Sequence, residues 1–231
     1  MSSSNFQNLR QTSPKLFANM TPPPASRPSS SGRTLYLTVY NTIFSLLWLY
    51  VLVSTFKALP GGRLHVYSVV ERDARMIQTL SLLDVVHSAT GLIPAPLGST
   101  FTQIATRVIQ VWLIWAGFSM TTATSSAFPT LLIAWSIADT IRYAYLALNL
   151  HGKAPGWLVW LRYSMFYALY PVGIVCEWWL MYQAVTPAAE VSWILRPVFY
   201  FLLALYVPGS YMMFTYMIKQ RRKVLSKKSK S

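Results

Sequence analysis

The 231-residue sequence contains one cysteine, three histidines and only six acidic residues. A single cysteine, Cys176, excludes an intrachain disulfide and a cluster of thiolate metal ligands. The histidines, His65, His87 and His151, show neither HxxxH nor HExxH spacing. Nothing in the sequence resembles a nucleotide-binding fold. We therefore expect no metal and no cofactor.

Charged residues are also scarce. They make up 11% of the chain, whereas hydrophobic residues make up 54% and include nine Trp. A soluble domain has about 25% charged residues, so the composition predicts a membrane protein with several spans.

The formal net charge of +14 is concentrated towards the two ends of the chain. Seven Lys and Arg lie between Lys219 and Lys230, and four precede Leu35. Basic residues that flank apolar spans are typical of membrane topology, whereas a nucleic-acid-binding protein needs a basic face on a soluble fold. We therefore do not expect nucleic acid as a partner.

The chain divides into three parts by composition. Residues 1–33 contain eight Ser and five Pro, which predicts a disordered tail that lacks the apolar core of a secretory signal. Residues 34–218 form the predicted transmembrane domain. Residues 219–231 form a predicted basic cytoplasmic tail.

Six stretches are apolar enough to cross a hydrocarbon core of about 30 Å. They cover residues 35–56, 76–93, 101–120, 128–150, 157–182 and 193–218. We expect a turn and a mixed-charge connection over 57–75, and short connections over 121–127, 151–156 and 186–191. The predicted fold is an all-α bundle of six transmembrane helices. The positive-inside rule places both termini in the cytoplasm, although the basic first loop is an exception.

Polar residues inside these spans are expected to face other helices. The second span carries a polar stripe at helical spacing, formed by Ser81, Asp84, Ser88 and Gly91. In the fourth span, Asp139 and Arg142 are three residues apart, which predicts an ion pair. His87 lies close to the stripe, and a hydrogen-bonded interior histidine is favoured over a catalytic one.

The fifth span carries the strongest functional signal, in the segment LRYSMFYALYPVGIVCEWWL over 161–180. Glu177 within hydrocarbon would cost about 2.5 to 3.5 kcal/mol, so it should face protein or a wet cavity. Tyr170 precedes it by seven residues, which places both side chains on one helix face, about 10 Å apart along the axis. Pro171 is expected to kink the helix. The alternative is that Tyr170 packs, Pro171 bends the helix and Glu177 neutralises a buried arginine.

One pattern in this span resembles the signature of the very-long-chain 3-hydroxyacyl-CoA dehydratases, once called tyrosine-phosphatase-like. It comprises Arg162, Tyr163, Phe166, Leu169, Tyr170, Pro171, Gly173 and Glu177. The segments SLLDVVHSATGLI over 81–93 and AWSIADTIRYAYLAL over 134–148 agree with it. The resemblance covers residues 35–219, and the chain departs from it conservatively, with Asp84 and Asp139 where the family has Glu. A cysteine-based phosphatase needs Arg six residues after its nucleophile, but Tyr182 occupies that position after Cys176.

The resemblance implies removal of water from a 3-hydroxyacyl-CoA to give trans-2-enoyl-CoA, the third step of fatty acid elongation. It implies no redox cofactor and a location in the endoplasmic reticulum membrane, with elongation-cycle enzymes as partners. Tyr170 and Glu177 match the family's catalytic pair. We assign Tyr170 to the α-proton and Glu177 to the departing hydroxyl, with the reverse left open.

Three arginines on different spans fall in the predicted cytoplasmic half and could bind coenzyme A phosphates as a basic mouth. The predicted substrate-binding residues are Arg107, Arg142, Arg162 and Tyr163. The alternative is that these arginines pair with Asp84 and Asp139 as structural contacts. Two other functions stay open. One is a non-enzymatic scaffold of the same fold, and the other is a transporter, for which the sequence lacks the usual internal repeats.

Overall fold

The computed structural model describes residues 31–228, and every regular element in that range is helical. The α-helices are α1 (Ser31–Ala58), α2 (Arg63–Leu80), α3 (Leu82–Ala89), α4 (Leu97–Ile109), α5 (Ser119–Thr124), α6 (Ala127–Asn149), α7 (Gly156–Ser164), α8 (Phe166–Val191) and α9 (Leu195–Lys228). A 3₁₀ turn over Leu59–Gly61 follows α1, and a π-helical segment over Gln110–Ala116 continues α4. The all-α prediction is confirmed for this part of the chain.

Within residues 31–228, four segments are long and apolar enough to cross a membrane. They are Ser31–Gly61, Ala127–Asn149, Gly156–Val191 and Leu195–Val224. These segments correspond to the predicted first, fourth, fifth and sixth spans, with ends that differ by one or two residues at Leu150 and at Trp193. Large apolar side chains on their outer faces are exposed, as lipid-facing residues would be, with Val175 65% exposed and Phe201 63% exposed.

The second predicted span differs from the structure. Helix α2 begins at Arg63, so most of the predicted mixed-charge connection is helical. The helix forms because Val66, Val70, Ala74 and Ile77 recur at helical spacing and are buried on one face. Gly62, at φ 84°, provides the sharp turn before the helix. Ser81 then separates α2 from α3.

The third predicted span is also less regular than expected. Its helix widens into the π-helical segment, and α5 is helical where a polar turn was predicted over 121–127. The hydroxyl of Thr122 donates a hydrogen bond to the carbonyl of Ile114, at 3.1 Å. This bond joins α5 to the π-helical segment, in which regular α-helical hydrogen bonding is interrupted.

The last two predicted spans are longer in the structure. Helix α8 is continuous to Val191, so the predicted connection over 186–191 is wrong, because Ala188 and its neighbours on α8 pack in the core. Regular helix is interrupted at Met165, between α7 and α8. Pro171, where a kink was predicted, lies inside α8. Helix α9 continues to Lys228, so most of the predicted basic tail extends this helix.

The predicted disordered tail lies mostly outside the described residues. Only its last three residues, 31–33, are described, and they belong to α1.

Helix α6 is the centre of the bundle. It packs against α1 on one side and α8 on the other, and α8 packs in turn against α9. The core contains fully buried large side chains from several helices, including Trp48, Trp115, Phe128 and Tyr143. This arrangement brings one face of α8 to the junction of α6 and α9.

Candidate active site at the junction of three helices

Glu177 lies where α6, α8 and α9 meet. Its Oε1 accepts a hydrogen bond from the indole Nε1 of Trp135 on α6, at 2.9 Å. Its Oε2 accepts one from the hydroxyl of Tyr206 on α9, at 3.3 Å. Both carboxyl oxygens are therefore held by donors from neighbouring helices, which fixes the orientation of the group.

A positive charge lies one aromatic ring away from this carboxyl. The guanidinium of Arg107 lies over the ring of Trp135, with its carbon 4.4 Å from the ring centroid. Arg107 also forms an ion pair with Asp139. Glu177 forms no ion pair within residues 31–228. Among these residues, the contacts do not support the alternative that Glu177 directly neutralises a buried arginine.

Tyr170 faces a groove between α8 and α9. Its hydroxyl lies 3.4 Å from the carbonyl of Ser210, and its ring stacks on Phe214 with centroids 6.0 Å apart. The groove has a volume of about 350 Å³. Its lining is mainly apolar and consists of Tyr170, Pro171, Ile174, Val175, Ser210, Tyr211 and Phe214.

Tyr170 and Glu177 contact one face of α9. Their partners there, Ser210 and Tyr206, are four residues apart and therefore neighbours on the helix surface. The prediction that the two side chains share a face of α8 is confirmed. The Glu177 carboxyl and the Tyr170 phenol thus contact the same helix, and the phenol lines the groove.

Two of the predicted substrate-binding arginines are ion-paired. Arg142 binds Asp84 at 3.0 Å and Asp139 at 3.7 Å, so the predicted pair of Asp139 with Arg142 is confirmed. Arg107 binds Asp139 from α4. These contacts favour the structural alternative for Arg107 and Arg142.

The other two predicted substrate-binding residues, Arg162 and Tyr163, lie together on α7. The Arg162 guanidinium is 5.7 Å from the Tyr163 ring, and this ring packs edge-on against Tyr145 of α6. Arg162 forms no ion pair in the described part of the chain. Arg162 therefore differs from Arg107 and Arg142, each of which is paired with a carboxylate.

Three of the four residues of the predicted polar stripe, Ser81, Asp84 and Ser88, are buried in the bundle, whereas Gly91 is exposed and lies beyond the end of α3. Asp84 accepts hydrogen bonds from Tyr40 at 2.8 Å and Tyr143 at 2.9 Å, in addition to its pair with Arg142. His87 is buried, and its Nε2 lies 2.9 Å from the hydroxyl of Tyr36. Its contacts agree with the interior, hydrogen-bonded interpretation.

Comparison with known proteins decides the family. The family described as "Protein tyrosine phosphatase-like protein, PTPLA" matches residues 78–227 of this chain. The chain belongs to this family. No solved structure matches it.

Several curated relatives are similar to this chain over most of their own length. A protein of Oryza sativa named very-long-chain (3R)-3-hydroxyacyl-CoA dehydratase PASTICCINO 2A is 39% identical, over 86% of this chain and 96% of its own. A probable dehydratase of this name from Schizosaccharomyces pombe is 37% identical, over 82% of this chain and 92% of its own. The human protein named very-long-chain (3R)-3-hydroxyacyl-CoA dehydratase 2 is 30% identical, over 84% of this chain and 82% of its own.

The phosphatase-like name of the family has no counterpart in the surroundings of Cys176. The thiol is buried on α8 and belongs to the hydrophobic core. Tyr182, not arginine, follows six residues later. Cys176 is therefore a packing residue.

Sequence reasoning missed the two residues that hold the Glu177 carboxyl. Trp135 lies in a segment that supported the family resemblance, and Tyr206 lies in the sixth predicted span, but neither had a residue-level signal. Trp135 is four residues before Asp139, so its position on the polar face of α6 was readable. Its contact with Glu177 was not, because the sequence does not fix the relative rotation of two helices.

Proposed function

We propose that this protein removes water from a 3-hydroxyacyl-CoA to give the trans-2-enoyl-CoA, the third step of very-long-chain fatty acid elongation. The observation that carries the proposal is the placement of Glu177 and Tyr170 against one face of α9, with Tyr170 lining an apolar groove. The relatives named as dehydratases support the same reaction.

The reaction needs one proton acceptor and one proton donor. The bond from the α-carbon to hydrogen breaks, the 3-hydroxyl leaves as water, and a carbon–carbon double bond forms between them. Tyr170, as its phenolate, takes the α-proton, and Glu177, as its neutral acid, donates a proton to the departing hydroxyl. A proton then passes back from the Tyr170 phenol to the Glu177 carboxylate, which restores both groups for the next turnover. The opposite assignment uses the same two side chains. No redox cofactor or metal takes part.

Trp135 and Tyr206 hold the Glu177 carboxyl in one orientation during this transfer. Proton transfer depends steeply on the position of the donor, so a carboxyl held by two hydrogen bonds is well suited to it. The apolar groove beside Tyr170 takes the part of the acyl chain next to the reacting carbons. Arg162 and Tyr163 contribute to substrate binding, and Arg107 and Arg142 maintain the ion pairs that support the site.

The test is dehydration of a 3-hydroxyacyl-CoA by protein purified in detergent. We expect Glu177→Gln and Tyr170→Phe each to lower kcat by about 100-fold or more, the usual size of general acid or base catalysis. Glu190→Gln is the matched control, because Glu190 lies on the same helix but is exposed. Full activity of either site variant would exclude direct proton transfer by that residue. A folded wild type that is silent with several chain lengths would favour the scaffold function.

The same proposal includes the membrane arrangement. The chain crosses the endoplasmic reticulum membrane six times with both termini in the cytoplasm, and it works beside the other elongation enzymes. The transmembrane domain covers residues 34–218, between the tail over 1–33 and the basic segment over 219–231. The second crossing uses α2 with α3, and the third uses α4 with the π-helical segment. Burial of Asp84 among its partners supports the second crossing, because a paired carboxylate is tolerated inside a bundle.

A further inference from the structure

The last helix is longer than a membrane requires. Helix α9 has 34 residues, which at about 1.5 Å each span about 50 Å, against a hydrocarbon core of about 30 Å. Its final turns carry Lys219, Arg221, Arg222 and Lys223, and the sequence contains no acidic residue after Glu190. One end of α9 is therefore strongly basic.

Arg221 folds back onto the bundle instead of extending into solvent. Its Nε donates a hydrogen bond to the hydroxyl of Ser164 at 3.2 Å, and its guanidinium carbon lies 5.5 Å from the ring centroid of Tyr167. It forms no ion pair within residues 31–228, and no hydrogen bond of its two terminal amino groups is seen there. The neighbouring Arg222 is exposed.

Aromatic side chains connect Arg221 to the groove. The ring of Tyr167 packs against Phe214 with centroids 6.0 Å apart, and Phe214 stacks on Tyr170 at the same distance. Phe214 and Arg221 are seven residues apart, so they lie on one face of α9, about 10 Å apart along the axis. The ring of Tyr167 therefore lies between the Arg221 guanidinium and Phe214, which lines the groove together with Tyr170.

We propose that Arg221, oriented by Ser164 and Tyr167, binds a phosphate group at the nucleotide end of the acyl-CoA while the acyl part occupies the groove. The inference rests on the proposed function. The fixed Nε contact leaves the two terminal amino groups, which bind phosphate oxygens well as a pair. Arg107 and Arg142 are less available because carboxylates already bind them. A phospholipid headgroup presents the same phosphate chemistry and is the competing source.

The test compares two substrates with the same 3-hydroxyacyl group, one carried on coenzyme A and one on N-acetylcysteamine, which has no phosphate. We expect Arg221→Gln to raise KM for the coenzyme A substrate about tenfold, with little change in kcat. KM for the N-acetylcysteamine substrate should not change. Arg221→Lys should recover part of the loss, because lysine keeps the charge but not the paired geometry.

Arg222→Gln is the matched control, since it removes the same charge from the next, exposed position and should leave both KM values unchanged. Inhibition by adenosine 3′,5′-bisphosphate gives a second measure, and its inhibition constant should rise about tenfold in Arg221→Gln alone. Equal effects of Arg221→Gln on both substrates, or an unchanged KM for the coenzyme A substrate, would overturn the inference. An inactive wild type would instead contradict the proposed function. In that case, equal binding of the bisphosphate by wild type and Arg221→Gln would overturn the inference too.

The lipid source is separated by repeating the measurement in nanodiscs of zwitterionic lipid, with and without anionic lipid. Binding of the nucleotide end predicts the same KM difference between wild type and Arg221→Gln in both. If the difference appears only with anionic lipid, Arg221 binds a lipid headgroup and the inference is wrong.

Discussion

Glu177 receives its two hydrogen bonds from helices that lie on different sides of α8. The Trp135 indole approaches from α6, and the Tyr206 hydroxyl approaches from α9. Each donor directs its hydrogen at the Glu177 carboxyl itself, so the role of both in the proposed reaction is to position Glu177. That role distinguishes them from Tyr170, which faces the groove.

Removing the Tyr206 hydroxyl should therefore slow the reaction without preventing substrate binding. We expect Tyr206→Phe to lower kcat about tenfold, which corresponds to the loss of one hydrogen bond of about 1.5 kcal/mol. KM and thermal stability in detergent should change little, because the ring remains. Steady-state kinetics of Tyr206→Phe and of the control Tyr200→Phe, an exposed tyrosine on the same helix, check this. An unchanged kcat in Tyr206→Phe would show that Trp135 alone positions the carboxyl.

Ion pairs with buried carboxylates connect the helices in addition to apolar packing. Asp84 on α3 binds Tyr40 of α1 and both Arg142 and Tyr143 of α6. Arg107 joins α4 to α6 through Asp139. Breaking a buried pair from one side is costly because it leaves the other charge without its partner.

Asp84→Asn should therefore destabilise the bundle by about 3 kcal/mol, within the range for broken buried pairs. We expect a lower Tm in detergent and a smaller yield of folded protein, measured by thermal unfolding of the purified variant. Adding Arg142→Gln should recover part of the loss, since it removes the guanidinium that has lost the closer of its two carboxylate partners. Asp73→Asn, which changes a more exposed aspartate on α2, is the comparison. A double variant that is less stable than Asp84→Asn would show that the ion pair with Arg142 is not the main contact of Asp84.

The arrangement of the whole molecule follows from which segments cross the membrane. Four segments of the described chain meet the criteria of length and apolar composition on their own. The remaining two proposed crossings, α2 with α3 and α4 with the π-helical segment, are more polar but pack within the bundle. An even number of crossings places the two termini on the same side.

Tags at the two ends of the chain should respond identically to protease in sealed microsomes. We expect both to be cleaved without detergent, because both termini face the cytoplasm in the proposed six-span arrangement. A tag inserted in the 151–156 connection should also be accessible, whereas one inserted after the 3₁₀ turn at Leu59–Gly61 should be protected until detergent is added. Protection of only one terminal tag would require an odd number of crossings and would overturn the six-span arrangement.

Order along the chain was enough to predict the all-helical class of the protein and to place the proposed reacting pair on one face of its helix. Helical spacing placed Tyr170 and Glu177 on one face, and composition predicted apolar helices, because both depend only on local order along the chain. Helix ends were less accurate. The sequence did not indicate the start of α2 at Arg63 or the continuation of α8 to Val191, since packing of buried side chains extends helices beyond their apolar stretches.

Which helix faces meet depends on the folded arrangement. Folding brings Trp135 and Tyr206 to Glu177 and pairs Arg142 with Asp84, although the partners are 29 to 58 positions apart in the sequence. It also distinguishes the arginines with carboxylate partners from Arg221, which lies against Ser164 and Tyr167. These contacts are not readable from one helix, because its rotation and depth are set by side chains from other helices, which its own sequence does not contain.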